Sequence, residues 1–467
     1  MQLHHLSATD LAKAIRSKMC SARDAVKSCL DSIARQNPGL NAFLTVTAEA
    51  ALVEAEKADS AMARGDSIGP LHGLPLGIKD TIDTDGIRTT YGSALFAGNV
   101  PASDDLIVAR LRRAGAIVIG KTSTPEFGFG GITKNDLIGT TVNPYDRSRT
   151  CAGSSGGSAV AVAAGMIPLA HGTDFAGSIR HPASFCGVVG FRPSMGRIPV
   201  FPKMPLSQNL VAHGVFSRSV EDAALFLSAT AGRDDRDPLS LATEAWQPLQ
   251  FSGEHLSLRV GFSPNLGFAL IDKEVEETFL SAIERISNIY PDTREAELDL
   301  GDIGHPFRIL RGTLVHDQYS ALVAAHRDQI SDTLIWNTEL GSAITAAEYF
   351  QAERERSVIY LKLLESFDEY DILATVSVPV LPFSHSNNTV LVINGIPLTD
   401  PIDWFTLSAV VTLTGFPAIS IPCGFSRDGL PVGIQLIAKP FNESALVACA
   451  FRLQEELDFR HQWPVEA

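Results

Sequence analysis

The sequence predicts an α/β fold, in which short buried strands alternate with amphipathic helices. Three observations carry this reading. Short apolar runs bounded by turn residues recur at Ala116–Gly120, Leu258–Phe262, Tyr370–Val376, Ala418–Pro422 and Val432–Ala438, as buried strands do. Segments of helical periodicity lie between them, and this alternation marks the class. At the centre, Cys151 to Pro182 reads as turn, helix, strand, turn. It has a Gly/Ser-rich turn at Ser154, a small helix-favouring run Ala159–Gly165, an apolar run Met166–Leu169 and a second serine turn at Ser178.

Taken in order, Ser7 caps a first helix whose positive end Asp10 favours. Ser21 opens a second, with Ala25, Cys29, Leu30 and Ile33 on one face, and Asn37-Pro38-Gly39 ends it. Ala48–Arg64 is a third, alanine-rich helix, and all three read as scaffold. From His72 to Asp83, Leu74, Leu76 and Ile78 alternate with Pro and Gly before Lys79-Asp80, a buried strand ending in a lysine. Gly86–Phe96 is a loop and Asp104–Ala114 a helix. Phe127-Gly-Phe-Gly-Gly-Ile reads equally as pocket lining or core, and Gly187–Phe191 as another short apolar segment. Ser219 starts a helix through Phe226 and Leu227, and residues 235–255 form a crossing segment. Helices follow at Lys273–Asn288, Ser320–Arg327, Ala346–Tyr370 and Asp403–Leu413, and an Asp428-Gly429 turn joins the last two strands. There is no internal repeat.

Composition narrows the function classes. Of 467 residues, 45% are hydrophobic and 19% charged, which is ordinary for a folded chain. A net charge of −15 argues against nucleic acid as a general partner. Six scattered cysteines without a Cys-x-x-Cys pair point to reduced thiols, not a disulfide framework or a zinc site. The start lacks the pattern of a secretory signal, and no run of 18 apolar residues occurs, so a cytoplasmic protein without a membrane span is expected.

The chemistry gathers at the two serine turns. A serine on a glycine-rich turn can present its hydroxyl and neighbouring N–H groups to one bound atom, as acyl transfer requires. A flexible linker and a phosphate loop are the alternatives, but an ordered apolar run follows at once and no Gly-Lys-Ser/Thr ending is present. Cys151 and Cys186 flank the turns as alternative nucleophiles. For the base, His72, His171, His181 and His213 lie in relevant regions, but Gly-x-Ser-x-Gly is absent around Ser178. Lys79 is the other candidate: an unpaired buried ammonium is costly, and burial lowers a lysine's pKa until it can accept a proton.

These segments resemble the amidase signature family of serine hydrolases over nearly the whole chain. The resemblance rests on Gly73-Leu-Pro-Leu-Gly-Ile-Lys-Asp80, Gly120-Lys-Thr-Ser-Thr-Pro-Glu-Phe127, Asn143-Pro-Tyr-Asp146, Cys151-Ala-Gly-Ser-Ser-Gly-Gly-Ser158, Gly190-Phe-Arg-Pro193 and Leu413-Thr-Gly-Phe-Pro-Ala-Ile-Ser420. It implies one compact domain over residues 1–467, a large twisted mixed sheet surrounded by helices, with N-terminal helices (1–65) packed on a catalytic core region (66–200). It also implies an amidase acting on non-peptide C–N bonds. By the same resemblance Ser178 is the nucleophile, Ser154 the bridging serine, on a cis peptide bond, and Lys79 the terminal base. The oxyanion site is formed by N–H groups of Phe175, Ala176, Gly177 and Ser178, and Ser155, Asp174 and Arg180 hold the turns in register.

The expected activity is cleavage of a linear carboxylic amide through a seryl acyl-enzyme. The alternatives are a carbamate or ester hydrolase, or the glutaminase component of a tRNA-dependent amidotransferase. That branch usually carries Gly-Gly-Ser-Ile-Arg-Gln-Pro, where this chain has Ala176-Gly-Ser-Ile-Arg-His-Pro182. Ala176 also departs from the usual Asp-x-Gly-Gly-Ser, and would be strained if its φ were positive. Phe127, Phe129, Phe175, Phe201, Trp336 and Trp404 are candidates for an aromatic acyl pocket. No cofactor or metal is expected. The expected partners are a small-molecule amide and water, without nucleic acid or membrane, and a homodimer stays open.

Overall fold

The computed structural model describes residues 2–203, 205–242, 257–457 and 463–464. Its strands are Phe43–Val46 (β1), Pro75–Lys79 (β2), Ile117–Thr122 (β3), Lys134–Asn135 (β4), Gly139–Thr140 (β5), Leu169–Asp174 (β6), Val189–Arg192 (β7), Ala212–Ser217 (β8), Val260–Phe262 (β9), Thr293–Glu295 (β10), Ile372–Val376 (β11), Val392–Ile393 (β12), Ile396–Pro397 (β13), Ala418–Phe425 (β14) and Pro431–Ala438 (β15). Its α-helices are Ala8–Arg16 (α1), Ala22–Leu40 (α2), Ala48–Arg64 (α3), Leu106–Arg113 (α4), Gly156–Ala163 (α5), Arg180–Phe185 (α6), Val220–Thr230 (α7), Lys273–Ile289 (α8), Gly304–His326 (α9), Asp332–Leu340 (α10), Ala346–Ser366 (α11), Thr406–Thr414 (α12) and Glu443–Glu456 (α13).

Eleven strands form one mixed sheet in the order β1-β3-β2-β6-β8-β7-β14-β15-β11-β9-β10. The two-residue pairs β4–β5 and β12–β13 stand apart from it. Successive side chains of a strand face opposite sides, so the sheet feeds two cores. On β3, Val118 joins one core with α1, α4, α7, α8 and α13. Ile117 and Ile119 join the other, with α2, α3 and α5.

The capping logic holds where side chains act locally. The Ser7 side chain accepts from Asp10 N, and Ser21 and Asp24 form a reciprocal box at the start of α2. Where tertiary contacts intervene, the boundaries differ. Helix α2 runs through Pro38 to Leu40 and ends at Asn41, which is left-handed at φ 53°. Asn37 clasps Phe43 there, its Oδ1 accepting from Phe43 N at 2.8 Å and its Nδ2 donating to Phe43 O at 3.2 Å. The strand after α5 is β6, not Met166–Leu169: β2 pairs with its Leu169 and Ala170, and the ladder with β8 carries it on through the polar His171-Gly-Thr-Asp174. Helix α9 begins 16 residues before Ser320. It continues through Gly312, where the end of α10 approaches closely: a Cβ on Gly341 would stand 2.1 Å from Gly312 O. Helix α11 stops at Ser366. β1, β8, β10, the short pairs β4–β5 and β12–β13, α6, α10 and α13 have no counterpart in the sequence reading. Residues 243–255 of the crossing segment lie outside the described residues.

The topology positions the site. β2 and β6 are parallel neighbours, with Leu76 opposite Leu169 and Gly77 opposite Ala170. Continued two residues beyond Gly77, that register brings Lys79, at the C-terminal end of β2, beside Gly172 and Thr173. The turn at Ser154 precedes α5, whose N-terminus opens toward the same strand ends. Gly156 and Gly157 allow close packing: a Cβ on Gly157 would stand 2.3 Å from Ser123 N, and one on Gly156 2.3 Å from Thr133 Oγ1. This run is therefore a packed turn and not a linker.

Candidate active site

Lys79 is fully buried, and its Nζ donates to Ser154 Oγ at 2.7 Å and to Thr173 Oγ1 at 2.9 Å. Ser154 Oγ in turn stands 3.1 Å from Ser178 Oγ. The Gly153–Ser154 peptide is cis. The three residues thus form one continuous chain of hydrogen bonds, with Ser178 at its partly open end. Burial lowers the Lys79 pKa from 10.5 to about 7, against the pull of Asp174. Near neutral pH a substantial fraction of this amine is uncharged and able to accept a proton. Asp80 is not its counter-ion; that carboxylate faces Lys121, at 3.8 Å.

Asp174 builds the serine loop. Its Oδ1 accepts from Gly177 N at 2.9 Å and its Oδ2 from Ile179 N at 3.1 Å. Arg180 grips both oxygens, at 2.9 and 3.0 Å, and Arg192 Nη1 reaches Oδ1 at 3.3 Å. Burial opposes the carboxylate's charge, but Arg180 and Arg192 overcome it and hold the group well below the usual carboxylate range. Ser155 ties the two turns together. Its N–H donates to Ser178 O at 3.2 Å and its hydroxyl to Thr173 O at 3.1 Å.

The Gly177 N–H is committed to Asp174, which corrects the expectation that all four N–H groups face a substrate oxygen. Those of Phe175, Ala176 and Ser178 make no hydrogen bond among the described residues. Helix α12 turns the loop: Thr412 Oγ1 donates to Phe175 O, and Ser408 Oγ to Ala176 O at 2.9 Å. In a planar trans peptide the N–H opposes the C=O, so binding Phe175 O turns the Ala176 N–H away from α12. The positive φ belongs to Gly177, at 94°, and Ala176 has an ordinary one. The alanine departure therefore carries no backbone strain.

The rival candidates sit elsewhere. The His181 ring is buried against Trp404 and Phe405, at centroid distances of 5.3 and 5.8 Å. Neither of its nitrogens has a partner among the described residues. Burial, then Arg180, lowers its pKa to about 3. His171 and His213 bond each other at 2.9 Å, and His72 Nε2 lies 3.2 Å from Ala58 O. Cys151 and Cys186 are fully buried, and burial pushes the Cys151 thiol up to about 12, away from a reactive thiolate.

The aromatic candidates divide. Phe127, Phe129 and Phe175 share an apolar cluster with Tyr319 and Leu95. Beyond it lies a cavity of about 480 Å³ lined by Phe129, Gly131, Arg311, Trp336, Asn337 and Phe405 among others. Gly128, in the same loop as Phe129, sits over the reactive groups: a Cβ there would be 3.5 Å from Ser154 Oγ and 3.8 Å from Lys79 Nζ. Trp404 is buried against Phe383 and does not line this cavity. Phe201 stands apart, 38% exposed with the Arg236 guanidinium over its ring. The sequence reading did not single out Thr173, Arg192, Ser408 or Thr412. Only Arg192 left a trace there, within Gly190-Phe-Arg-Pro193; the others join the site through sheet register and helix packing.

A family model described as Amidase matches residues 24–447. The A subunit of glutamyl-tRNA(Gln) amidotransferase from Alkaliphilus metalliredigens is 32% identical over 497 residues, covering 99% of each chain. Among solved structures, a bacterial aryl acylamidase of the amidase signature family is similar at a TM-score of 0.90 and 25% identity, covering 98% of this chain and 99% of that one. The A subunit of glutamyl-tRNA(Gln) amidotransferase from Thermotoga maritima is similar at a TM-score of 0.79 and 26% identity, covering 100% of this chain and 99% of that one. Among the described residues no helix is long and apolar enough to cross a membrane.

Proposed function

The chain belongs to the amidase family, and from that premise we propose that it hydrolyses a linear carboxylic amide through an acyl-enzyme on Ser178. The observation that carries this reading is the buried relay Lys79–Ser154–Ser178, with steps of 2.7 and 3.1 Å. A serine hydroxyl becomes a useful nucleophile when a neighbour removes its proton. Uncharged Lys79 takes that proton through Ser154, whose hydroxyl both donates and accepts. Ser178 Oγ attacks the amide carbonyl, and the N–H groups of Ala176 and Ser178, with Phe175 beside them, receive the developing oxyanion. Each such donor contributes about 3–4 kcal/mol in a water-excluded site. The Lys79 ammonium returns the proton through Ser154 to the leaving nitrogen. Water then repeats the cycle and frees the acid.

A second reading has its own support. The curated relatives named as the A subunit of an amidotransferase favour an assembled glutaminase, while the aryl acylamidase has the higher TM-score. The Ala176 and His181 departures favour the free-standing enzyme. A fluorophosphonate probe tests the common core: it should label wild type and not Ser178→Ala, which should lose essentially all turnover with little change in thermal midpoint. Retention of more than a few per cent of activity would refute the nucleophile assignment. Hydrolysis of simple amides by the purified chain alone supports the free-standing reading; activity appearing only with copurified partner proteins supports the assembled one.

A further inference from the structure

The Arg311 side chain is only 6% exposed, yet among the described residues its guanidinium makes no hydrogen bond and no salt bridge. Buried cations are ordinarily paired, because an uncompensated charge is costly to desolvate. The surroundings do not supply a partner. The nearest influence is Asp400, whose Oδ2 already accepts from Arg308 at 3.1 Å. The Glu126 oxygens accept from Ser93 Oγ at 2.6 Å and Ser331 N at 2.8 Å. Asp136 and Asp332, also in the cavity wall, are solvent-exposed.

What Arg311 does face is the cavity of about 480 Å³ beside the catalytic loop. Its Cζ lies 6.0 Å from the Phe129 ring centroid, and Phe129 packs in one cluster with Phe175 of the serine loop. Phe129 also follows Gly128, whose Cβ would stand 3.5 Å from Ser154 Oγ, so the cavity wall continues into the loop over the reactive groups. Asn337, in the same wall, leaves its buried Oδ1 unpartnered as well. A planar guanidinium in such a place is shaped to bind a carboxylate with two parallel hydrogen bonds.

We infer that Arg311 is a substrate-recognition residue and that the preferred substrates are amides whose acyl part ends in a carboxylate, as in the monoamide of a dicarboxylic acid. This rests on the hydrolase reading, with the amide carbon at Ser178 and the acyl chain running past Phe129. Asn337 Oδ1 accepts only, so it fits a water or an N–H near the carboxylate and not the carboxylate itself.

The test compares kcat/KM for succinamate, glutaramate, adipamate and suberamate with the matched uncharged amides, butyramide to octanamide, in wild type, Arg311→Gln and Arg311→Lys. Wild type should favour the charged member at its best chain length by roughly tenfold or more, the scale of a hydrogen-bonded ion pair. Arg311→Gln should lower that ratio at least tenfold, mainly through KM, and Arg311→Lys should restore part of it. No charged-over-neutral preference in wild type at any length overturns the inference, as does an equal loss on both classes in Arg311→Gln. The wild-type comparison stands even if the variants do not fold. Should no amide be cleaved and Ser178 resist the fluorophosphonate, the hydrolase reading falls. Titration of adipate into wild type and Arg311→Gln then decides the anion site alone: binding weakened at least tenfold supports it, and equal or absent binding overturns it.

Discussion

Removing the Thr173 hydroxyl should move the pH dependence of catalysis in a direction that the structure dictates. Thr173 Oγ1 accepts from Lys79 Nζ at 2.9 Å and so stabilises the charged amine. Burial acts the other way and brings the Lys79 pKa down to about 7. Catalysis needs the uncharged form, so kcat/KM on a neutral amide should rise with pH about tenfold between pH 6 and 8. A hydrogen bond to a charged group contributes about 1.5 kcal/mol, and its loss corresponds to about one pH unit. In Thr173→Val, which keeps the shape, the acidic midpoint should therefore fall from about 7 to about 6. Stability moves with the same group. Between about pH 7 and 10.5 the unfolded chain binds more protons at this site than the folded one, so stability rises with pH across that window. Below it the full penalty, roughly 5 kcal/mol, is present. The assay is a pH–rate profile of both proteins, with urea unfolding at pH 7 and 9. An acidic midpoint that stays in place or rises in Thr173→Val would refute the assignment of Lys79 as base.

Three further outcomes are expected. Asp174→Asn should destabilise the chain by about 3–5 kcal/mol in urea unfolding, because Arg180 and Arg192 would be buried without a countercharge; a loss below about 1 kcal/mol would mean that the pair is compensated elsewhere. His181→Phe should keep the stack on Trp404 and Phe405 and leave the acidic midpoint unchanged, whereas Lys79→Ala should abolish turnover; a midpoint that disappears with His181 would return the mechanism to a histidine base. Ala176→Gly should cost about 0.4–1 kcal/mol, since Ala176 has an ordinary φ and glycine only adds unfolded-chain entropy; a gain in stability would show that the alanine is strained.

By itself the sequence determined the class of fold and singled out candidates for the chemistry. Ser154 and Ser178 stood out as serines on glycine-rich turns and Lys79 as a lysine at the end of an apolar strand, and the resemblance to the family's motifs gave them roles. Local rules also placed α1 and α3 and the start of α2, where a capping hydroxyl or an alanine-rich face acts within a few residues. Tertiary structure decided what depends on distant partners. Polar His171-Gly-Thr-Asp174 is a strand because the ladder with β8 holds it, and α9 continues through Gly312, where the end of α10 packs so closely that Gly341 has no room for a Cβ. The same separation hid Thr173 as a ligand of Lys79 and the commitment of the Gly177 N–H to Asp174. Arg311 gave no signal at all: an arginine in a helix reads as a solvated charge, and only packing shows that it is buried, unpaired and facing a cavity.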